Sequence, residues 1–253
     1  MAKKRIDQIL VEKKLVESRS KAQAMIMAGQ IFVDKKIIKK SGELFNDNII
    51  INIKDLHPQW VSRGAFKILH ALEKFNIKVD NKICLDLGAS TGGFTQVLLK
   101  NGAKKIYSVD VGTNQLNEKL LNEKKIINLQ KINARYISSK EINDKIDILV
   151  CDVSFISMKK VIAPCLKFLN NNAKIIALIK PQFEARKNEI KKGVVTKKIV
   201  HSRICEEYKD WFKNFCFTKL IGLTESPIKG PKGNTEFLIC LEKTKNILNS
   251  DQQ

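Results

Sequence analysis

Apolar residues recur at helical spacing from the start of the chain, with Ile6, Ile9 and Leu10 on one face and Leu15 and Val16 in a short connection. Ser18 is placed to cap a second helix, whose stripe of Ala22, Met25 and Ile26 stops at Gly29. Short strand signals follow at Ile31–Val33, 37–38 and 49–53, separated by Asp34-Lys35-Lys36 and Ser41-Gly42. Two small helices and a tight β-ribbon therefore make a unit over residues 1–56. His57-Pro58-Gln59-Trp60 interrupts the pattern and reads as a linker over 57–61. Beyond it, Phe66, Leu69, Leu72 and Phe75 mark a helix with one buried stripe. Strand and helix signals then alternate, with strands expected at Ile83–Leu87, 105–109, 126–129, Ile146–Cys151, 174–179, 220–223 and 237–241. That alternation predicts an α/β domain over 62–245, a doubly wound, mostly parallel seven-stranded sheet with ligand chemistry at the carboxyl ends of its strands. A loop in place of a helix joins the last two strands, so the final hairpin should be antiparallel. Residues 246–253 read as a frayed tail.

The first strand of that domain runs into Asp86-Leu-Gly88-Ala89-Ser90-Thr91-Gly92-Gly93-Phe94, and a helix signal follows over 95–100. Small residues let a ligand approach the backbone closely. The glycines do not fit the dinucleotide spacing G-x-G-x-x-G, and no Lys-Ser/Thr follows to cradle a triphosphate. A turn opened by an acid suits a zwitterion carrying a sulfonium better than one carrying phosphates, which points to S-adenosylmethionine (SAM). Asp110 ends the second strand about 20 residues on, where an acid accepts hydrogen bonds from ribose hydroxyls. Asn133 follows the third strand, where the adenine edge should lie; Val111 and Ala134 adjoin these two positions.

Composition adds a partner. The chain has 253 residues, is 43% hydrophobic and 28% charged, and carries a formal net charge of +20. Frequent lysine accounts for part of that charge, but Asp and Glu have not risen alongside it, so a polyanion is expected to bind. The six cysteines show no C-x-x-C pair, and Cys84, Cys151 and Cys240 lie in apolar runs, which suits small buried hydrophobes in a reducing compartment. Only His57, His70 and His201 occur, leaving little material for a histidine-based hydrolase. No secretion signal or membrane span is legible, so a cytoplasmic protein is expected, and no metal site is expected.

Four charged residues stand at element ends around the expected cleft: Lys67, Asp152, Lys180 and Glu236. In order and context they resemble the Lys-Asp-Lys-Glu tetrad of FtsJ-like ribose 2′-O-methyltransferases. Longer strings narrow the resemblance: Val61-Ser-Arg-Gly-Ala-Phe-Lys, the turn from Asp86, Val109-Asp-Val-Gly, Asp152-Val-Ser-Phe-Ile-Ser, Lys180-Pro-Gln-Phe-Glu and Ser226-Pro-Ile-Lys-Gly-Pro-Lys-Gly-Asn. The first unit carries Arg5-Ile-Asp-x-x-Leu, then Ser18-Arg19-Ser20-Lys21-Ala22, then Ala28-Gly29-x-Ile-x-Val33, and resembles the RNA-binding module of ribosomal protein S4. Together these features, from residue 5 to about 242, resemble the TlyA family, called hemolysin-like but acting on rRNA. Asn133 departs from the Asp often found near the adenine in FtsJ-type enzymes.

The resemblance implies RNA contacts from Arg5, Arg19, Ser20, Lys21, Arg63 and Lys67, and a cytidine of 23S rRNA as acceptor, with 16S rRNA as a further possibility in longer forms. The short termini match the form acting on the large subunit, so the 50S subunit is the favoured partner of a monomeric enzyme. A ribose 2′-hydroxyl is a poor nucleophile. Lys180 is expected to take or steer its proton, with its ammonium made more acidic by desolvation and by Lys67, while Asp152 and Glu236 orient the lysines. The sulfonium methyl is already activated, so much of the task is alignment, which supplies roughly 7–11 kcal/mol of a barrier. RNA is favoured over DNA because DNA lacks the acceptor hydroxyl. Two other classes are weighed: a membrane-lytic protein, which no span or cationic amphipathic helix supports, and a non-catalytic assembly factor, against which the intact tetrad argues. Trp60 is expected to couple RNA docking to cofactor binding.

Overall fold

The computed structural model describes residues 3–27, 29–34, 36–53 and 60–244. The chain divides into two compact units, Met1–Gln59 and Trp60–Gln253. His57, Pro58 and Gln59 of the expected linker, Ala28 of the first unit's motif and the tail over 246–253 lie outside the described residues.

The first unit contains β1 (Lys4–Arg5), α1 (Ile6–Glu12), α2 (Arg19–Met27), β2 (Ile31–Val33), β3 (Lys36–Ile37), β4 (Leu44–Phe45) and β5 (Ile51–Ile53). The helical stripes close on the ribbon: Ile6, Leu10, Ala22 and Ile26 pack with Ile31, Val33 and Ile38. Ser18 immediately precedes α2 and caps it as its spacing predicts, its Oγ accepting from Lys21 N at 3.2 Å. Gly29, at φ 72°, turns the chain out of that helix. The strands β3-β2-β5 form one antiparallel sheet, and β1 pairs with β4 separately. The β1–β4 pairing had no sequence signal, since two-residue strands leave no period to read.

The second unit contains α3 (Gly64–Lys74), β6 (Ile83–Leu87), α4 (Gly93–Lys100), β7 (Lys105–Asp110), α5 (Glu118–Leu121), β8 (Ile126–Gln130), β9 (Ile146–Cys151), α6 (Lys159–Ile162), β10 (Leu169–Ile179), α7 (Pro181–Glu184), α8 (Lys198–Cys216), β11 (Thr218–Glu225) and β12 (Phe237–Lys243). Its seven-stranded sheet runs β11-β12-β10-β9-β6-β7-β8. The strands β10-β9-β6-β7-β8 are parallel neighbours, and β12 lies antiparallel between β10 and β11, so the final hairpin is as expected. Alternate side chains serve opposite faces. Cys84, Ile106, Ile148 and Val150 pack with Ile68 and Val97 of α3 and α4. Leu85, Leu149 and Ile175 join the core containing Ile204, Tyr208 and Phe212 of α8. Cys84, Cys151, Cys165, Cys205 and Cys240 are free and buried, and burial pushes each thiol above its usual range.

Two expectations need correcting. The buried face of α3 is Ala65, Lys67, Ile68, Ala71 and Leu72, whereas Phe66 and Leu69 of the expected stripe are half-exposed. The face is rotated because the small Ala65 and Ala71 let the helix approach the sheet closely, and small residues carry little weight in a hydrophobic pattern. The strand β10 begins at Leu169 rather than at 174, its register with β9 shifting across the polar run that includes Asn172 at φ 64°.

Candidate active site

The parallel strands β6, β7 and β9 end on one side of the sheet, and the loops leaving them enclose a cleft of about 490 Å³. Gly88, Ser90, Asp110, Val111, Asn133 and Ala134 line it, as do Gln115, Ile132 and the run from Asp152 to Ile156. The conformation of the first turn explains its glycines. Gly88 lies at φ 82°, and a β-carbon there would stand 3.0 Å from Asp152 O. Asp110 ties two loops together, Oδ2 accepting from Ser90 N and Oδ1 from Gly112 N, both at 2.8 Å. Asn133 Oδ1 accepts from Arg135 N at 3.1 Å.

The other residues singled out in the turn support the cleft from behind its lining. Gly93 faces the start of α3 and the residues before it, where a β-carbon would stand 2.1 Å from Ser62 Oγ and 3.1 Å from Ala65 N, and Gly92 at φ 93° faces Leu116 and Leu120. Ala89 and Phe94 are buried, and Thr91 is exposed. Asp86 is fully buried; its Oδ2 accepts from Thr95 Oγ1 at 2.6 Å, and Thr95 Oγ1 also lies 2.8 Å from Ser108 Oγ. Its Oδ1 has no hydrogen-bond partner among the described residues. Burial pushes the Asp86 carboxyl up to about 7, with the charges of Asp152 and Asp110 adding to the rise against the Thr95 hydrogen bond. Sequence reasoning missed Gln115 and Ile132, and read Val153–Ile156 only as part of a motif, because loops leaving strand ends carry no period.

The four charged residues singled out from the sequence meet beside this cleft. Lys67 Nζ, on α3, stands 2.8 Å from Glu236 Oε2 and 3.5 Å from Asp152 Oδ2. Lys180, at the end of β10, places Nζ 2.6 Å from Asp152 Oδ1 and 2.8 Å from Ser154 Oγ. The ion pairs thus run Lys180–Asp152–Lys67–Glu236, two cations and two anions in alternation. Glu236 is fully buried, and Lys67 and Lys180 are 8% and 7% exposed. Gln182 Nε2 donates to Glu236 Oε1 at 3.0 Å, so both carboxylate oxygens are held. Such burial is tolerable only because each charge has an opposite partner. A second polar group braces the loops. Burial raises the Glu184 carboxyl above its usual range against hydrogen bonds from Tyr208 and Ser157, and Ser157 Oγ lies 3.0 Å from Tyr208 Oη.

Of the residues expected to touch RNA, Lys67 belongs to this buried cluster rather than to an open surface. Arg63 and Ser20 are exposed, and Lys21 lies 3.8 Å from Glu17. Arg5 and Arg19 converge on the fully buried Asp7, which the sequence reading placed in the Arg5-Ile-Asp-x-x-Leu motif without a role of its own. Arg5 donates to both Asp7 oxygens at 3.0 Å, Gln23 Nε2 lies 2.9 Å from Oδ2, and Arg19 reaches the same oxygen at 3.3 Å. The Arg5 fork, with Gln23 and Arg19, holds the Asp7 carboxyl well below the usual carboxylate range despite its burial. An acid within a basic motif reads as incidental until its depth is known.

Comparison with known proteins extends these observations. Residues 60–243 match the FtsJ-like methyltransferase family, and residues 4–47 match the S4 domain. Hemolysin A of Brachyspira hyodysenteriae is 43% identical over 245 residues, covering 92% of this chain and 98% of the relative. The 16S/23S rRNA (cytidine-2′-O)-methyltransferase TlyA of Mycobacterium tuberculosis is 36% identical over 246 residues, covering 94% and 89%. A solved structure from Streptococcus thermophilus, described as a hemolysin, superposes with a TM-score of 0.76 at 37% identity, covering 97% of this chain and 90% of the other. The chain belongs to the FtsJ-like methyltransferase family, in the group that joins this domain to an S4 domain and includes hemolysin A and TlyA.

Proposed function

We propose that this protein is a SAM-dependent rRNA ribose 2′-O-methyltransferase that acts in the cytoplasm as a monomer, with a cytidine of 23S rRNA in the 50S subunit as its acceptor. The observation that carries the reading is the buried, alternating Lys180–Asp152–Lys67–Glu236 chain at the rim of the cleft. The cleft suits SAM on its own chemistry. Asp110 and Asp152, at the ends of β7 and β9, line it, the buried Asp86 behind its first turn keeps one oxygen with no hydrogen-bond partner among the described residues, and the backbone at Gly88 leaves no room for a side chain. Gly88, Ser90, Asp110 and Asn133 would hold the cofactor, which when bound supplies a methyl group activated as a sulfonium.

The rest of the task falls to the tetrad. Lys180 Nζ is held by Asp152 and Ser154 and steers the proton that leaves the 2′-hydroxyl. Lys67 joins the two carboxylates and keeps Asp152 aimed at Lys180. Asp152 also lines the cleft, so one side chain orients the lysine and would border the cofactor. Burial of these groups sharpens their mutual orientation and limits competing water. The S4-type unit supplies affinity through phosphate contacts, and the catalytic unit presents the cofactor to one exposed nucleotide.

The test is methyl transfer from radiolabelled SAM to isolated 50S and 30S subunits, by the wild type and by Lys180→Ala. Label in 50S RNA that digests to 2′-O-methylcytidine and is lost in the variant is expected. Label in 30S RNA as well would overturn the large-subunit restriction, and no label in either would overturn the reading. A membrane-lytic activity draws on a relative's name alone; among the described residues no helix is long and apolar enough to cross a membrane.

A further inference from the structure

Between α7 and α8 the chain carries Arg186, Lys187, Lys191, Lys192 and Lys197 against one carboxylate, Glu189, which is already paired with Arg203 at 2.7 Å. This segment is folded rather than loose. Lys191 and Val194 exchange two backbone hydrogen bonds of 2.9 Å, closing a two-residue hairpin on Lys192 and Gly193. Both turn residues have positive φ, 51° and 81°, the conformation of a type I′ turn, for which Asn-Gly is the favoured pair. The buried Asn234 fastens the hairpin from the other side, accepting from Val195 N at 3.1 Å and donating to Gly193 O at 2.9 Å. Asn234 stands two residues before Glu236, so roughly 7 Å of chain links the hairpin to the tetrad. From the same loop Lys232, at φ 57°, lies across the hairpin: a β-carbon on Gly193 would stand 2.9 Å from its Nζ.

Lys191, Lys192 and Lys232 are exposed, and none has an ion-pair partner among the described residues. Three unneutralised ammonium groups are thus gathered on two mutually braced turns next to the tetrad. We infer that this basic hairpin grips the phosphodiester backbone flanking the acceptor nucleotide, a second RNA contact carried by the catalytic unit itself. The inference rests on RNA being the substrate. The placement suits it, because phosphate contacts fix register without reading sequence, and a contact one loop from Glu236 aligns the ribose directly. Flexible lysines on a rigid turn can follow a backbone whose bases are turned elsewhere.

The turn geometry offers a variant that separates this role from a structural one. Replacing Lys192 and Lys232 together by Asn gives each backbone a residue better suited to positive φ while deleting two charges. Folding and SAM binding should be retained, as read by circular dichroism and calorimetry. The full chain should then bind isolated 50S subunits roughly tenfold more weakly at low salt, with a log K against log salt slope smaller by about 2 in magnitude, measured from about 50 to 200 mM. The KM for subunits should rise by a larger factor than kcat falls. The control is Lys124→Asn with Lys125→Asn, two exposed lysines preceding β8 at the opposite ends of the parallel strands. Equal effects from the two pairs would reduce the hairpin to general charge and overturn the inference. So would an unchanged affinity and slope in the hairpin variant while the wild type transfers methyl groups. If the wild type transfers none to any subunit, it is the proposed activity that fails. Should the Asn pair not fold, Lys192→Gln with Lys232→Gln carries the same expectation.

Discussion

Replacing Asp86 by Asn should stabilise the catalytic unit at neutral pH and weaken its hold on the cofactor. Asp86 is fully buried, and its carboxyl rises from 3.8 to about 7, burial being the largest cause. At 1.36 kcal/mol per pH unit that rise is worth about 4 kcal/mol. The sign follows from proton counting: between pH 4 and 7 the folded protein holds a proton on Asp86 that the unfolded chain has released. Stability therefore falls as pH rises across that window and levels off above it, where the buried anion is fully expressed. Asn keeps the shape and the hydrogen bond with Thr95 but carries no charge. The variant should lose this pH dependence and gain up to about 4 kcal/mol at pH 8 relative to the wild type. Urea unfolding followed by tryptophan fluorescence reads the right unit, because both tryptophans, Trp60 and Trp211, lie in it. The same variant should bind SAM more weakly, since it removes a negative charge from behind the turn that lines the cleft, where a cationic ligand would sit. Parallel pH–stability curves for wild type and variant would refute the reasoning.

Three further outcomes are expected. Gly230→Ala should lower kcat at least tenfold with SAM affinity unchanged, because a β-carbon there would stand 2.1 Å from Glu236 Oε1 and displace the carboxylate; steady-state kinetics and calorimetry together check this. Asp7→Asn should reduce RNA affinity and loosen α1, read as faster amide exchange in that helix. Because the Asp7 carboxyl is depressed, its stabilisation in the wild type is full above about pH 4 and is lost only as pH falls through its lower folded value, and the variant should lack that dependence. Trp60→Ala should weaken SAM binding without abolishing folding: Trp60 packs on the α3–α4 side of the sheet, its ring lies under Lys100, and the next residue's N–H donates to Gln96 on α4. Unchanged SAM affinity would remove the idea that this segment couples to the cofactor.

Much of the architecture was legible because periodicity and topology impose it. Ile83–Leu87 and Ile146–Cys151 are buried on both faces and read as mostly apolar runs, each broken by one aspartate, with sharp ends. The tetrad was legible from its context, and the packing of α3 against β12 explains why residues 169 positions apart, Lys67 and Glu236, meet at 2.8 Å. What escaped was structure built from small or polar residues. The true face of α3 depends on Ala65 and Ala71, the start of β10 runs through asparagines, and Asp7 looks like any acid until three side chains are found around it. The turn from Asp86 to Phe94 joins β6 to α4, yet only Gly88 and Ser90 of it line the cleft. Which side of a tight turn meets a ligand depends on φ at Gly88 and Ser90, and no pattern of residue types states that.

The burial of the tetrad also explains its alternation. A lone lysine in this position would be driven to shed its proton or to leave the interior, and a lone carboxylate would be driven to take one up. Alternating two of each lets every charge stay buried without a net field. Two ends of the chain are then anchored differently. Glu236 is clamped by Lys67 and Gln182, whereas Lys180 is held by Asp152 and a hydroxyl. The Lys180 end can therefore exchange a hydroxyl partner for the ribose with the least disruption, because a Ser154 contact gives way to another O–H. Ser154→Ala should accordingly preserve most of kcat, while Asp152→Asn, which breaks the alternation at its centre, should lower kcat by orders of magnitude at unchanged RNA affinity. Equal losses in the two variants would mean that the hydroxyl is part of the proton path itself and not a placeholder for the substrate.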